Sequence, residues 1–222
     1  MSTVLSPARR TKPETLADML ERLGNVPASR IRFQPYPGTA TDEDVLAVHA
    51  KEDRICELID GILVEKAMGF RESFLAMAIV EWLRKWVRPR KLGLVAGPDG
   101  MMKLSSGLVR IPDVSFVSWK DIPGGKVPKE PIPMLAPTLA VEVLSESNTP
   151  AEIKRKRREF FKAGTSLMWV VDPKTRTVTV WTSVRKSVEL AESDTLDGGT
   201  VLPGFKLSLR ELFAELDEES PR

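Results

Sequence analysis

Three charged residues carry the chemistry this chain could do: Asp113, Glu142 and a lysine in the basic run that follows them. Asp113 lies in Ile111-Pro112-Asp113-Val114-Ser115-Phe116-Val117, and Glu142 in Leu139-Ala140-Val141-Glu142-Val143-Leu144. Both segments are otherwise apolar or β-branched, so each predicts a buried strand carrying one carboxylate. Two desolvated carboxylates on neighbouring strands repel each other, and a cation between them offsets that cost. Oxygen ligands beside a phosphate substrate suit Mg²⁺, with Mn²⁺ as its usual substitute. The pattern points to metal-assisted phosphodiester hydrolysis.

The third element is Lys154-Arg155-Lys156-Arg157-Arg158. A charge run is usually a solvated helix face. Here Ile153, Phe160, Phe161 and Gly164 mark a face packed on a sheet, and five consecutive bases cannot all point away from it. Lys154 and Lys156 flank that stripe and Arg157 falls near its middle, so one of them reaches in over the strand ends. A lysine there would deprotonate the attacking water or stabilise charge building on the phosphate. Helical geometry does not separate Lys154 from Lys156. The remaining bases, Arg155, Arg157 and Arg158 among them, are candidates for phosphate contacts. Glu65, ending a strand, and Glu72, opening a helix, are secondary metal-ligand candidates. Glu57 and Asp60 read as strand-edge and turn residues.

Composition narrows the alternatives. The 222 residues carry 33 Lys+Arg against 31 Asp+Glu, a net charge of +2, so affinity for a polyanion must come from local clusters. One cysteine, Cys56, excludes an internal disulfide and reads as a core residue. One histidine, His49, excludes multi-histidine zinc sites and reads as a helix-end residue. The N-terminus lacks the apolar run of a signal peptide, and no stretch approaches the ~20 apolar residues of a membrane span. These features predict a soluble, cytoplasmic protein with no membrane partner.

The elements that must position the charged residues follow from periodicity. Residues 1–40 predict an N-terminal extension, disordered over 1–13, with a helix from Thr15 to Leu23 closed by Gly24 and an irregular connector after it. Thr41-Asp42-Glu43-Asp44 predicts the cap of a helix reaching Ala50. Ile55–Ile59 and Ile62–Lys66 flank an Asp60-Gly61 turn and predict a hairpin. Phe74, Leu75, Ala78, Ile79, Trp82, Leu83 and Trp86 define an amphipathic helix from Arg71 to Val87, stopped by Pro89. Short strands are predicted at 93–97 and 101–104. After the Asp113 strand, residues 121–137 form a long loop, read as a flap, a partner surface or a plain connector. The Glu142 strand is followed by a helix capped at Asn148 or Thr149, with Pro150 at its first turn, running to Ala163 and Gly164. A strand at 166–171, a hairpin partner at 177–181 and a last helix near 209–215 complete the core, with a disordered tail at 216–222. Helices flanking a mixed β-sheet in an α/β fold fit this order best.

The ordered set of segments resembles the Uma2 family of the PD-(D/E)XK nuclease superfamily. The matching pieces are Glu57-Leu58-Ile59-Asp60-Gly61-Ile62-Leu63-Val64-Glu65, the Asp113 and Glu142 segments, and Lys156 through Phe160 to Ala163-Gly164. Trp169-Val170-Val171-Asp172-Pro173 and Leu202-Pro203-Gly204-Phe205 follow, so the resemblance spans about residues 41–215. It implies a restriction-endonuclease-like core, Mg²⁺-dependent cleavage of DNA, and metal binding by Asp113 and Glu142. The superfamily's usual lysine position, two residues after the second acid, is Leu144 here. In Uma2-like sequences the lysine stands on the next helix, eight residues before the glycine, which selects Lys156. Phe160 stands where a tyrosine is common, so this chain lacks that hydroxyl. The competing reading is a nuclease fold that binds DNA or a protein partner without turnover. A homodimer would set two such sites on opposite DNA strands.

Overall fold

The computed structural model describes residues 15–67 and 69–217; the expected disorder of residues 1–13 and most of the expected tail lie outside them. In the first segment α1 spans Leu16–Leu23 and α2 spans Asp42–Glu52. Both open on a reciprocal capping box, Thr15 with Asp18 and Thr41 with Asp44. Gly24 ends α1 at φ 87°, and a Cβ there would lie 2.7 Å from the backbone of Glu152, so glycine is required twice over.

Strand β1 (Cys56–Ile59) turns through Asp60 and Gly61, both at positive φ, into β2 (Ile62–Glu65), with Ile59 opposite Ile62. This is the two-residue turn that Asp-Gly favours. The pair belongs to a four-stranded sheet ordered β2-β1-β5-β4, with β4 at Met102–Ser105 and β5 at Leu108–Arg110.

A second, six-stranded sheet contains β3 (Gly93–Ala96), β6 (Val114–Ser118), β7 (Leu139–Val143), β8 (Leu167–Asp172), β9 (Thr177–Trp181) and β10 (Ser187–Leu190), in the order β10-β9-β8-β7-β6-β3. Only β7 and β8 run parallel, and the helix α4 (Pro150–Ala163) makes the crossover between them. A small hairpin of β11 (Thr195–Asp197) and β12 (Lys206–Ser208) leads into α5 (Leu209–Ala214).

The six-stranded sheet is covered on both faces. Leu139, Val141 and Val143 of β7 pack with Leu75, Ile79 and Leu83 of α3 (Phe70–Arg90). The alternate residue Ala140 packs with Phe160, Met168 and Val170 under α4. Strand alternation therefore sets Glu142 on the α4 side. Helix α3 continues past Pro89 to Arg90, one turn beyond the stop expected from sequence. A proline in the last turn forfeits a single hydrogen bond, so the helix runs on to Arg90 and closes at Lys91, whose N–H donates to the Arg88 and Val87 carbonyls. Residues 121–137 are tied down more than a free flap would be. Ile122 and Leu135 are buried, and Lys103 exchanges backbone hydrogen bonds with Pro133 and Leu135. No helix among the described residues is long and apolar enough to cross a membrane.

Candidate active site

The two sheets meet at Asp113. Arg110 ends a strand of one sheet and Val114 begins a strand of the other, so Asp113 sits on the crossover, just before the strand expected to contain it. Pro112, which has no N–H to give a ladder, marks the break. The backbone N–H of Asp113 donates to Val141 (3.0 Å), and its Oδ2 accepts from the N–H of Val143 (2.7 Å). These two bonds straddle Glu142 and bring both acids to the same end of the β6–β7 pair, in the interior of the sheet.

The inward face of α4 carries Glu152, Lys156 and Phe160, all buried at four-residue spacing. That face is rotated from the stripe expected in the sequence, which placed Arg157 near its centre. The reason is that two charged side chains, Glu152 and Lys156, take buried positions because partners await them. Lys156 Nζ donates to Glu142 Oε2 at 2.8 Å and lies 3.5 Å from Glu57 Oε1. Lys154, its rival in the sequence, is exposed.

Two residues join this centre that sequence reading did not place in it. Glu57 on β1 is fully buried: its Oε1 accepts from the N–H of Ile111 (3.1 Å) and its Oε2 pairs with Arg110 (2.6 Å). Lys66, just past β2, lies 2.9 Å from Asp113 Oδ1 and donates to the carbonyl of Pro98 at 2.8 Å. The only local hint for Glu57 was a carboxylate inside an apolar strand, the same signal that singled out Asp113 and Glu142.

Electrostatics separates the acids. Burial alone would raise the Glu57 carboxyl, but Lys156, Arg110 and the Ile111 amide reverse that and hold it down, to about 2. Glu142 goes the other way, up to about 7: burial dominates, Asp113 and Glu57 add repulsion, and Lys156 offsets only part of it. Burial would lower Lys156, yet Glu142 and Glu57 raise it and keep it firmly cationic. Burial also pushes the Cys56 thiol up to about 11, in keeping with an inert core residue.

Glu142 Oε1 is buried and has no hydrogen-bond partner. An orphaned carboxylate oxygen beside a second carboxylate is a donor set that fits Mg²⁺, which takes one or two carboxylates and fills its shell with water and phosphate. Among the described residues, no three acidic, histidine or cysteine side chains converge as a ready cage. Glu65 is taken up by Arg32 (2.8 Å) and Arg54 (3.0 Å). Glu72 lies in the first turn of α3 and lines a groove of about 1140 Å³ that also receives Leu144, Lys154, Arg157 and Trp181. Arg155 is engaged inside the protein by Asp60 (2.9 Å), Glu159 (2.7 Å) and the carbonyl of Arg22, while Arg158 is exposed. Phe160 is fully buried against Ala140, Met168 and Val170.

Comparison with known proteins agrees with this architecture. The crystal structure of a "putative nuclease belonging to DUF820" from Anabaena variabilis ATCC 29413 superimposes with a TM-score of 0.66 at 21% identity. The match covers 74% of this chain and 92% of that one, and it establishes the restriction-endonuclease-like fold. No curated protein matches the chain. The model of the Uma2 family, described as "Putative restriction endonuclease", matches residues 42–210, a span that holds Glu57, Asp113, Glu142 and Lys156. The chain belongs to the Uma2 family.

Proposed function

We propose that this chain is a Mg²⁺-dependent endonuclease that hydrolyses phosphodiester bonds in DNA. The observation that carries the reading is the buried pairing of Asp113 and Glu142 at one end of the β6–β7 pair, with Lys156 2.8 Å from Glu142 and one Glu142 oxygen unpartnered. Asp113 and Glu142 would hold the metal, with Mn²⁺ able to replace it. When bound, the cation would polarise the scissile phosphate and acidify a water ligand.

The chain's own residues do the rest. Lys156 stays charged between Glu142 and Glu57, so it serves as a fixed positive donor that orients water or stabilises developing phosphate charge, rather than as a base. Glu57, itself clamped by Arg110, fixes where that ammonium can sit. Arg110 is clamped in turn by Glu159 at 2.5 Å. Lys154, Arg157 and Arg158 would contact flanking phosphates. A second copy of the chain would supply a second site for the opposite strand.

Supercoiled and linear DNA incubated with the wild type and with Glu142→Ala, in Mg²⁺, Mn²⁺ or EDTA, tests the reading. Metal-dependent nicking or linearisation by the wild type alone supports it. Intact DNA in every metal, with no metal binding detected, rejects catalysis and leaves a nuclease fold that only binds.

A further inference from the structure

The groove beside the carboxylate centre contains an arginine treated differently from its neighbours. Arg155 is paired with Asp60 and Glu159, and Arg176 with Glu192 (2.7 Å) and Asp217 (2.9 Å), although the Arg176 Nε, like that of Arg157, is buried without a partner. Arg157 has no carboxylate partner among the described residues. Its guanidinium carbon lies 3.5 Å from the centre of the Trp181 ring, and its Nε is buried without a hydrogen-bond partner. Burial and the adjacent Arg158 both work against its charge, the condition that an arriving anion relieves.

The position is as telling as the missing partner. Arg157 and Trp181 line the groove with Leu144 and Val170. Leu144 is two residues past Glu142, and Val170 is the residue of β8 paired in register with Glu142. Stacking on an indole holds the guanidinium flat and directs its N–H edge sideways, the geometry that meets a phosphate with two parallel hydrogen bonds. Lys154, exposed one turn earlier on α4, and Lys174, also on the lining, add charge of the same sign, so the bases of the groove outnumber its three carboxylates, Glu72, Glu146 and Asp172. The groove volume of about 1140 Å³ exceeds the ~300–1,000 Å³ usual for small-molecule sites, which suits a segment of a polymer.

We propose that Arg157, held flat on Trp181 and assisted by Lys154, anchors a backbone phosphate of the nucleic acid beside the carboxylate centre. The proposal rests on the nuclease reading and adds to it the path of the substrate, along α4 and across β8 and β9 toward Trp181. Arg157 is then a binding residue that fixes which phosphate reaches Glu142.

Fluorescence anisotropy of a short labelled duplex and of its single strand, in EDTA and from about 50 to about 200 mM salt, tests it. Each phosphate contact contributes about 0.9 to the slope of log affinity against log salt for duplex and about 0.7 for single strand. Arg157→Gln is expected to lose at least tenfold in affinity at low salt and to reduce the slope by about one contact. Arg157→Lys should restore the slope and only part of the affinity, because it keeps the charge and loses the planar fork. Lys154→Gln, at an exposed position, should also lower the slope. Unchanged slopes in both glutamine variants overturn the anchor, and an affinity loss with an unchanged slope assigns Arg157 to packing alone and overturns it too. A parallel plasmid-cleavage assay of the wild type keeps the two readings apart. Cleavage with unchanged slopes leaves the nuclease without this anchor, whereas lowered slopes without cleavage leave the anchor on a protein that only binds. A duplex and single strand that both fail to bind overturn the anchor.

Discussion

Helix α4 buries two charged residues one turn apart, and they end in opposite situations. Glu152 meets Arg30 through both oxygens, at 2.9 and 3.1 Å, and Asn148 donates to the second oxygen at 3.2 Å. Both partners are nearly inaccessible, with side chains 2% and 8% exposed. Every strong acceptor there is used. Lys156 meets Glu142, whose other oxygen is buried and empty-handed and whose carboxyl is driven upward. The first cluster is satisfied within the protein; the second leaves one buried carboxylate oxygen without a partner among the described residues. Buried polar groups are otherwise satisfied almost everywhere in folded proteins, so the unfinished cluster is where a function is expected.

The largest expected effect breaks the second cluster without harming the fold. Glu142→Gln removes a ligand charge but keeps its shape, and Lys156 retains Glu57 nearby. Cleavage should fall by roughly a thousandfold or more, as when a principal electrostatic element of a site is lost. The melting temperature should hold or rise, because a carboxylate whose charge is disfavoured by burial and by Asp113 and Glu57 has gone. A large drop in melting temperature together with activity would make Glu142 a structural residue and erase the contrast with Glu152.

The mirror experiment is Glu152→Gln. Removing one charge of a buried pair typically costs about 3–5 kcal/mol, since Arg30 stays buried without its counter-ion. Denaturant unfolding should show that loss, while cleavage per folded molecule stays near wild type. Because α1 and the α4 cap are joined here, with Thr149 Oγ1 donating to the Gly24 carbonyl at 2.5 Å, the damage should spread to the first helix. Cleavage lost in proportion to a catalytic residue, with stability intact, would reverse the assignment of the two clusters.

Glu57 lies between these extremes, satisfied in its contacts yet 3.5 Å from the Lys156 ammonium. Its folded carboxyl is held down to about 2, below the ordinary glutamate value, so its contribution to stability is complete above about pH 4.3 and is lost as pH falls toward 2. The linked energy is on the order of 3 kcal/mol. Acid titration of stability should therefore be shallower in Glu57→Gln than in the wild type over that window. Parallel curves would mean that the Arg110 and Lys156 contacts do not favour the charged form.

Much of this was legible from residue types alone. Asp113 and Glu142 stood out because a lone carboxylate in an apolar run is costly without a partner. The Asp60-Gly61 hairpin and the α4 cap followed from backbone preferences that need no tertiary context. What stayed hidden depended on contacts across sheets. Lys66 reaches Asp113 only because the β1–β2 hairpin folds beside the crossover at Ile111 and Pro112, and nothing in Val64-Glu65-Lys66 records that. The inward face of α4 differs from the expected stripe because buried Glu152 and Lys156 share it with Phe160, and the partners that draw them in, Arg30 and Glu142, belong to distant segments. Strands β10 and β11 were missed for a different reason: β10 is an edge strand with mostly exposed side chains, so Ser187–Leu190 has no buried face to imprint a period of two.

The smallest predicted effect asks how unfinished the second cluster is. Lys66 already supplies a cation to Asp113 Oδ1, with its side chain only 7% exposed, so part of the cluster's negative charge is neutralised from within. A divalent ion drawn to Asp113 and Glu142 would meet that ammonium as a competitor for the same oxygen and as a like charge close by. Lys66→Met keeps the length and apolar stem and removes the charge. Mn²⁺ binding, followed by calorimetry or by the loss of free-ion paramagnetic signal, should tighten about tenfold, or about 1.4 kcal/mol. Weaker binding would show the opposite arrangement, in which the Lys66 bridge to the Pro98 carbonyl aims Asp113 at the ion and the protein has completed more of this centre than the orphaned Glu142 oxygen suggests.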